Sequence, residues 1–301
     1  MKKAIVLAGA TGKLGSMVAR ALLDRPDVEL RCVVRPGSLG KAAGLAAAGA
    51  RLFEAGLDAG DRGLAAACEG AFGLVSALQG GPDVIVGGQL ALLAAARAAG
   101  VRRFLPSDYS FDFFGLGEGE NVNSDWRRAF AREAAGARGE VRVVHVLNGC
   151  FLDREVLFGF LGMVDLAGGR ASLWGEGREP MGFTTYGDTA RFAAAAACAD
   201  EAPPERLHVA GDVLDFAGLV AAYERGSGKR LRVERRGSLA DLDAEIARRR
   251  EAEPHNLFAW LPLMYQRGML NGKGKPGPLE NGRFPEIRPT TVAEYVRAEG
   301  L

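Results

Sequence analysis

Ser107, Asp108 and Tyr109 occupy three consecutive positions at the end of an apolar run, in the stretch FLPSDYSFDF from Phe104 to Phe113. A tyrosine hydroxyl can protonate an oxyanion, and a serine hydroxyl two residues earlier can hold a sugar or substrate oxygen. A lysine four residues after the tyrosine would lower the phenol's pKa and complete a proton-transfer site. Phe113 stands there instead. Tyr109 is the candidate proton donor and Ser107 the candidate hydrogen-bonding partner. Plainer roles stand beside these: Ser107 as a turn cap, Asp108 as a turn residue, and Tyr109 as an aromatic wall with Phe111, Phe113 and Phe114.

A second group of residues could bind phosphate. Gly9-Ala10-Thr11-Gly12-Lys13-Leu14-Gly15 is a GxxGxxG loop that follows an apolar run and opens a helical pattern. Gly9 permits a tight turn, Gly12 lets backbone approach a pyrophosphate, and Gly15 lets helix pack closely; the phosphates then meet the positive end of the helix dipole. Arg35 follows Gly15 by twenty residues, where an acid would bind the ribose hydroxyls of NAD. An arginine there fits the 2′-phosphate of NADP instead, and Lys41 can add charge to it.

The elements that must position these residues alternate. Apolar strands are expected in KKAIVLA, VELRCVVR, ARLFEA, FGLVSAL, RRFLPSD and EVRVVHVLNG. Helices are expected after Lys13, over Lys41–Ala48, Gly63–Glu69 and Pro82–Ala99, and in WRRAFAREAA. This rhythm describes an α/β fold, a Rossmann-type doubly wound parallel sheet with a smaller C-terminal lobe. The expected division is 1–150 for the nucleotide-binding domain, with 181–212 returning to it, and 151–180 plus 213–301 for the substrate lobe. In that lobe LWGEGREPMGF reads as loop, LADLDAEIARRREAE as a charged helix, and the stretch through PGP and FPEIRPTT as an irregular tail. No internal repeat is present.

Composition narrows the function. Hydrophobic residues make up 48% and charged residues 25%, with a net charge of +1, so nothing favours nucleic acid or an anionic membrane as partner. No apolar stretch approaches a membrane span, and the N-terminal apolar run is too short for a signal peptide, so a cytoplasmic location is expected. Cys32, Cys68, Cys150 and Cys198 are scattered, as are His145, His208 and His255, so the cysteines read as reduced buried thiols and no metal site is expected.

Together GATGKLG, VVRPGS, AGLDAGD, Gln89 followed by LLAAARAAGVRRFLPSDYS, and LNGCF resemble the NmrA-like and isoflavone-reductase-like group of atypical short-chain dehydrogenases. The match runs over roughly residues 1 to 155, with fainter similarity in YGDTARF and RPTTVAEYV. GVRRFLPSDYS is its most specific part, since the group typically ends that phrase in Pro-Ser-Glu-Phe-Gly. The resemblance implies NADP(H) as cofactor, contacted by Gly9, Thr11, Gly12, Leu14, Gly15 and Arg35, with Lys13 in the same loop. It further implies contacts from Ser76, Ala77 and Leu78 at the end of the fourth strand, Ser107 near the nicotinamide, and Asn148 to Phe151 lining the cleft floor.

The departures matter as much. Isoflavone-type reductases carry a lysine before the helix that follows Pro-Ser-Glu-Phe-Gly; the corresponding EGENVNSDWRR has Asn121, Asn123 and Asp125 but no lysine. No lysine occurs anywhere between Lys41 and Lys229. Without one, Tyr109 is expected near the ordinary tyrosine pKa of about 10, able to protonate an oxyanion but a poor base. Arg127 and Arg128 can supply charge but no proton. The expected activity is NADPH-dependent reduction of a small apolar or aromatic carbonyl or conjugated compound. The alternative is a catalytically silent redox sensor that regulates a protein partner; a sugar-nucleotide epimerase would need the missing tyrosine–lysine pair. Tyr186 and His255 are further candidates for the site. Trp174 and Trp260 mark either an aromatic pocket or the lobe's core.

Overall fold

The computed structural model describes residues 2–58 and 60–301; Ala59, inside AGLDAGD, lies outside them. The chain divides into two compact units. The first comprises Met1–Tyr109, Trp126–Val146 and Thr189–Leu207. Its centre is a six-stranded parallel sheet of β1 (Lys3–Ala8), β2 (Val28–Val34), β3 (Arg51–Glu54), β4 (Gly73–Ser76), β5 (Arg103–Leu105) and β6 (Arg142–Val143), in the spatial order β3-β2-β1-β4-β5-β6. β1 is buried over five of its six residues, as an apolar strand covered on both faces must be. The helices are α1 (Lys13–Leu23), α2 (Ala43–Ala47), α3 (Arg62–Cys68) and α4 (Gln89–Ala98), with α5 (Val122–Ala137) and α6 (Tyr186–Cys198) belonging to this unit from Trp126 and from Thr189 onward. One core joins Val6, Leu74, Leu92, Phe104 and Phe130.

This is the expected fold class, and local departures from the expected elements have physical causes. The long helix expected over Pro82–Ala99 is two pieces: Asp83–Gly88 is wound as a π-helix before α4 begins. The Ile85 carbonyl accepts from the Gln89 side-chain amide (2.8 Å), while the Gln89 N–H turns to Val86. EVRVVHVLNG breaks after Val143; a separate strand β7 (His145–Leu147) pairs with Arg206–His208 rather than extending the central sheet. NVNSDW is also not a lead-in: α5 starts at Val122, and Asn121 receives the Ser124 N–H (3.0 Å).

The second unit comprises Ser110–Asp125, Leu147–Asp188 and His208–Leu301. The expected boundaries shift accordingly. The unit takes in Ser110–Asp125; of 181–212, Thr189–Leu207 lies in the first unit and the rest in this one; and this unit is no smaller than the first. Part of the expected loop 173–183 is strand, since Arg170–Trp174 pairs in parallel with Arg232–Gly237, and Met181–Thr184 with Cys150–Phe151. Its helices are α7 (Phe216–Ser227), α8 (Leu239–Ala252), α9 (Leu257–Leu270) and α10 (Val292–Ala298). α9 escapes sequence patterning because it is apolar nearly all round and contains Pro262. α10 begins with the capping box Thr291/Glu294, a legible signal in what reads as an irregular tail. Trp174 and Trp260 lie in the core of this unit. The two faintly similar segments meet: the Thr290 N–H donates to Asp188 (2.8 Å), a carboxylate that Thr185 also bonds.

Glu120, just before α5, accepts from the Gly117 N–H (2.6 Å), Arg267 (2.8 Å) and Lys273 (2.7 Å). Partial burial opposes ionisation, but these donors outweigh it, Lys273 foremost, and hold the carboxyl down at about 2. A depressed carboxylate stabilises the fold above its unfolded pKa of about 4.5 and loses that contribution as pH falls toward 2. Glu120→Gln is expected to remove about 1 kcal/mol at pH 7, after discounting for solvent screening, and much less at pH 3. Urea denaturation at both pH values checks this; equal losses at both would refute the role of the charge.

Candidate functional site

The glycine loop after β1 is a cradle closed by backbone. Gly9 has φ +83, open to glycine and strained for other residues, and a Cβ there would lie 2.5 Å from the Ala77 carbonyl oxygen. A Cβ on Gly15 would lie 2.0 Å from the Gly9 oxygen. α1 therefore packs on the turn and the turn on the end of β4, all at backbone distance. Gly12 is the N-cap, with extended backbone and no side chain to cap the helix, and no acid stands in the first turn. Its N–H bonds Gly9 O (3.1 Å), and Ser16 N–H bonds Gly12 O (2.8 Å). The Leu14 and Gly15 amides have no partner among the described residues. Thr11, Gly12 and Lys13 are exposed. An exposed helix N-terminus with free amides and no competing carboxylate is suited to an anion.

Arg35 follows β2 directly, and Lys41 lies in the 3-10 turn Leu39–Ala42. Both are exposed, and neither side chain bonds a described residue. At the end of β4, Ser76 is fully buried with its hydroxyl unpartnered. Ala77 N–H bonds Ala8 O (2.9 Å), which ties this strand end to β1.

After β5 the chain is held residue by residue. The Ser107 N–H donates to Gln89 Oε1 (2.6 Å) and Ser107 Oγ to the Leu78 carbonyl (2.7 Å). That hydroxyl proton is therefore committed, leaving Ser107 its lone pairs as an acceptor. Asp108 is no simple turn residue: it is fully buried and receives His145 Nδ1 (2.5 Å), while Arg127 Nε donates to its carbonyl (2.9 Å). Tyr109 is 7% exposed, with its hydroxyl buried and unpartnered. Its pKa is not near the free value: burial, and then the Asp108 charge, push it well above the ordinary tyrosine range. The phenol is thus held neutral.

Gln89, Arg127 and His145 hold this loop, a part that the sequence reading gave to none of them. A polar residue inside the apolar run VVHVL was the one available signal for His145. In the second unit Asn148 is fully buried with both side-chain amide atoms unpartnered. Gly149 has φ +71, and a Cβ there would meet Gly182 O at 2.2 Å. Phe151 stacks on Tyr186 at 3.9 Å. His255 is exposed in the turn before α9, which gives it no built environment. All four cysteines are buried and free, and burial pushes the Cys32 thiol up to about 12. Among the described residues no group of three or more His, Cys, Asp or Glu is arranged to hold a metal, and no helix is long and apolar enough to cross a membrane.

Sheet order and cradle define a Rossmann-type doubly wound protein. Residues 1–113 match the model of the NmrA-like family. A curated relative from Aspergillus japonicus, the NmrA-like family domain-containing oxidoreductase himF, is 28% identical over 250 residues, 76% of this chain and 74% of its own. Among solved structures, AtPrR2 with NADP+ and (+)pinoresinol has a TM-score of 0.80 at 21% identity, covering 99% of both chains. An isoflavone reductase has a TM-score of 0.82 at 17% identity, covering 99% of this chain and 100% of that one. The chain is accordingly NmrA-like in sequence over its first 113 residues and isoflavone-reductase-like in fold over its length.

Proposed function

We propose that this chain is an NADPH-dependent reductase of a small apolar or aromatic carbonyl or conjugated compound. The observation that carries this reading is the Tyr109 hydroxyl, buried, unpartnered and kept neutral, in the loop after β5 of a sheet whose β1 end is a glycine cradle. A phenol kept protonated has a proton to give to a more basic oxyanion and no phenolate with which to act as a base, which suits reduction rather than alcohol oxidation. The cradle, the free Leu14 and Gly15 amides and the orphaned Ser76 hydroxyl fit a dinucleotide. Arg35 and Lys41 would hold its 2′-phosphate, with Thr11, Lys13, Ala77, Leu78 and Asn148 as further proposed contacts. NADPH, when bound, supplies a hydride. Tyr109 would give the proton to the resulting oxyanion, and Ser107 would accept a hydrogen bond from the cofactor or substrate. An oxidoreductase relative, and the NADP+ and (+)pinoresinol held by AtPrR2, support the cofactor and an aromatic substrate.

The test is NADPH oxidation against a panel of quinones, enones and aromatic ketones. Tyr109→Phe is expected to slow turnover at least tenfold, about 1.4 kcal/mol of barrier. An unchanged rate would remove Tyr109 from the mechanism. One observation favours a second reading: no lysine occurs between Lys41 and Lys229. Tight NADPH binding with no turnover across the panel would support a redox sensor acting on a protein partner.

A further inference from the structure

Asp108 separates the two proposed site residues, Ser107 and Tyr109, by one position on each side. Three elements hold this tripeptide: Gln89 of α4 takes the Ser107 amide, Arg127 of α5 the Asp108 carbonyl, and His145 of β7 the Asp108 carboxylate. The His145 and Asp108 side chains are 3% and 0% exposed, 37 residues apart in sequence and 2.5 Å apart in space. Val144 and Val146, on either side of His145, are wholly buried. A third valine would suit that strand at no desolvation cost, so a buried polar pair here must be justified by what it holds. The Asp108 backbone also closes a tight local turn, with its N–H on Pro106 O (2.9 Å). The second carboxylate oxygen is buried without a partner. A loop with this many restraints is set in one conformation, as a site requires when fractions of an ångström decide rate.

We propose that Asp108 and His145 are a positioning pair that fixes Ser107 and Tyr109 for the nicotinamide end of the cofactor. This rests on the reading of the chain as NADPH-binding, and the parent protein tests that reading first. In the full-length parent, titration with NADPH should change the emission of the bound nicotinamide. A parent that binds no NADPH overturns the cofactor reading and this inference with it.

Given binding, His145→Ala is expected to keep the NADPH Kd within about threefold and to lose at least half of the emission change at saturation. His145→Asn places a side-chain N–H where Nδ1 stands and should restore most of it. With a substrate from the panel, the alanine variant should lose at least tenfold in kcat with KM little changed. A purely structural role would instead lower the thermal midpoint without altering saturated emission. Where His145→Ala does not fold, the isosteric Asp108→Asn carries the test, with emission falling in the same direction. A folded His145→Ala or Asp108→Asn variant with parental emission and kcat overturns the proposal.

Discussion

Gly15→Ala is expected to weaken NADPH binding at least a hundredfold, about 2.7 kcal/mol, and to cost the fold about 1–3 kcal/mol. The reason is steric. The added methyl carbon would lie 2.0 Å from Gly9 O, 2.7 Å from Gly9 C and 3.1 Å from Ala10 Cα. Those neighbours are backbone, which has no rotamer with which to yield. Nor can the turn retreat, because Gly9 is itself closed against Ala77. α1 must therefore lift off the turn and carry the Leu14 and Gly15 amides away from their anion. Gly12→Ala is the informative contrast. A Cβ at Gly12 has only Gly9 O near it, at an ordinary 3.5 Å, so the fold should be unaffected. If NADPH binding still falls in Gly12→Ala, the methyl group is meeting the ligand. Fluorescence titration and thermal denaturation of both variants read these effects. Parental NADPH affinity in Gly15→Ala would show that the cradle does not hold the cofactor.

Arg35→Ala is expected to weaken NADPH binding ten- to hundredfold and leave NADH binding within twofold. A hydrogen bond to a charged group contributes about 1.5–3 kcal/mol, and only NADPH offers the 2′-phosphate. Arg35 is exposed and bonds no described residue, so its removal should not alter stability. Parental NADPH affinity should fall steeply with added salt, and the variant's less so. Lys41→Ala should act in the same direction with smaller effect, since an ammonium is a point charge without the guanidinium's fork. Equal parental affinity for NADPH and NADH would sink the phosphate argument.

Much of the fold was legible because its signals are local. GATGKLG encodes its turn within seven residues: glycines stand where backbone approaches backbone, and Leu14, Val18 and Leu22 recur on one helical face. The apolar strands show the parallel sheet in the same way, since a strand covered on both faces has no polar alternation to confuse the reading. The losses occurred where local pattern and tertiary demand part company. α9 reads as no helix because its residues are apolar nearly all round, which erases the amphipathic period, and Pro262 argues against it. α5 begins four residues before the segment that looks helical, because Asn121 caps it from within a polar stretch.

The sequence by itself determined the sheet, the glycine loop after β1 and the absence of a lysine between Lys41 and Lys229, because each is a property of neighbouring residues or of simple presence. Only the tertiary structure decided that Asp108 meets His145, that Glu120 is gripped by Arg267 and Lys273, and that Tyr109 is buried away from its free-solution pKa. Those facts depend on desolvation and on contacts between residues up to 153 positions apart, for which one chain's spacing holds no record.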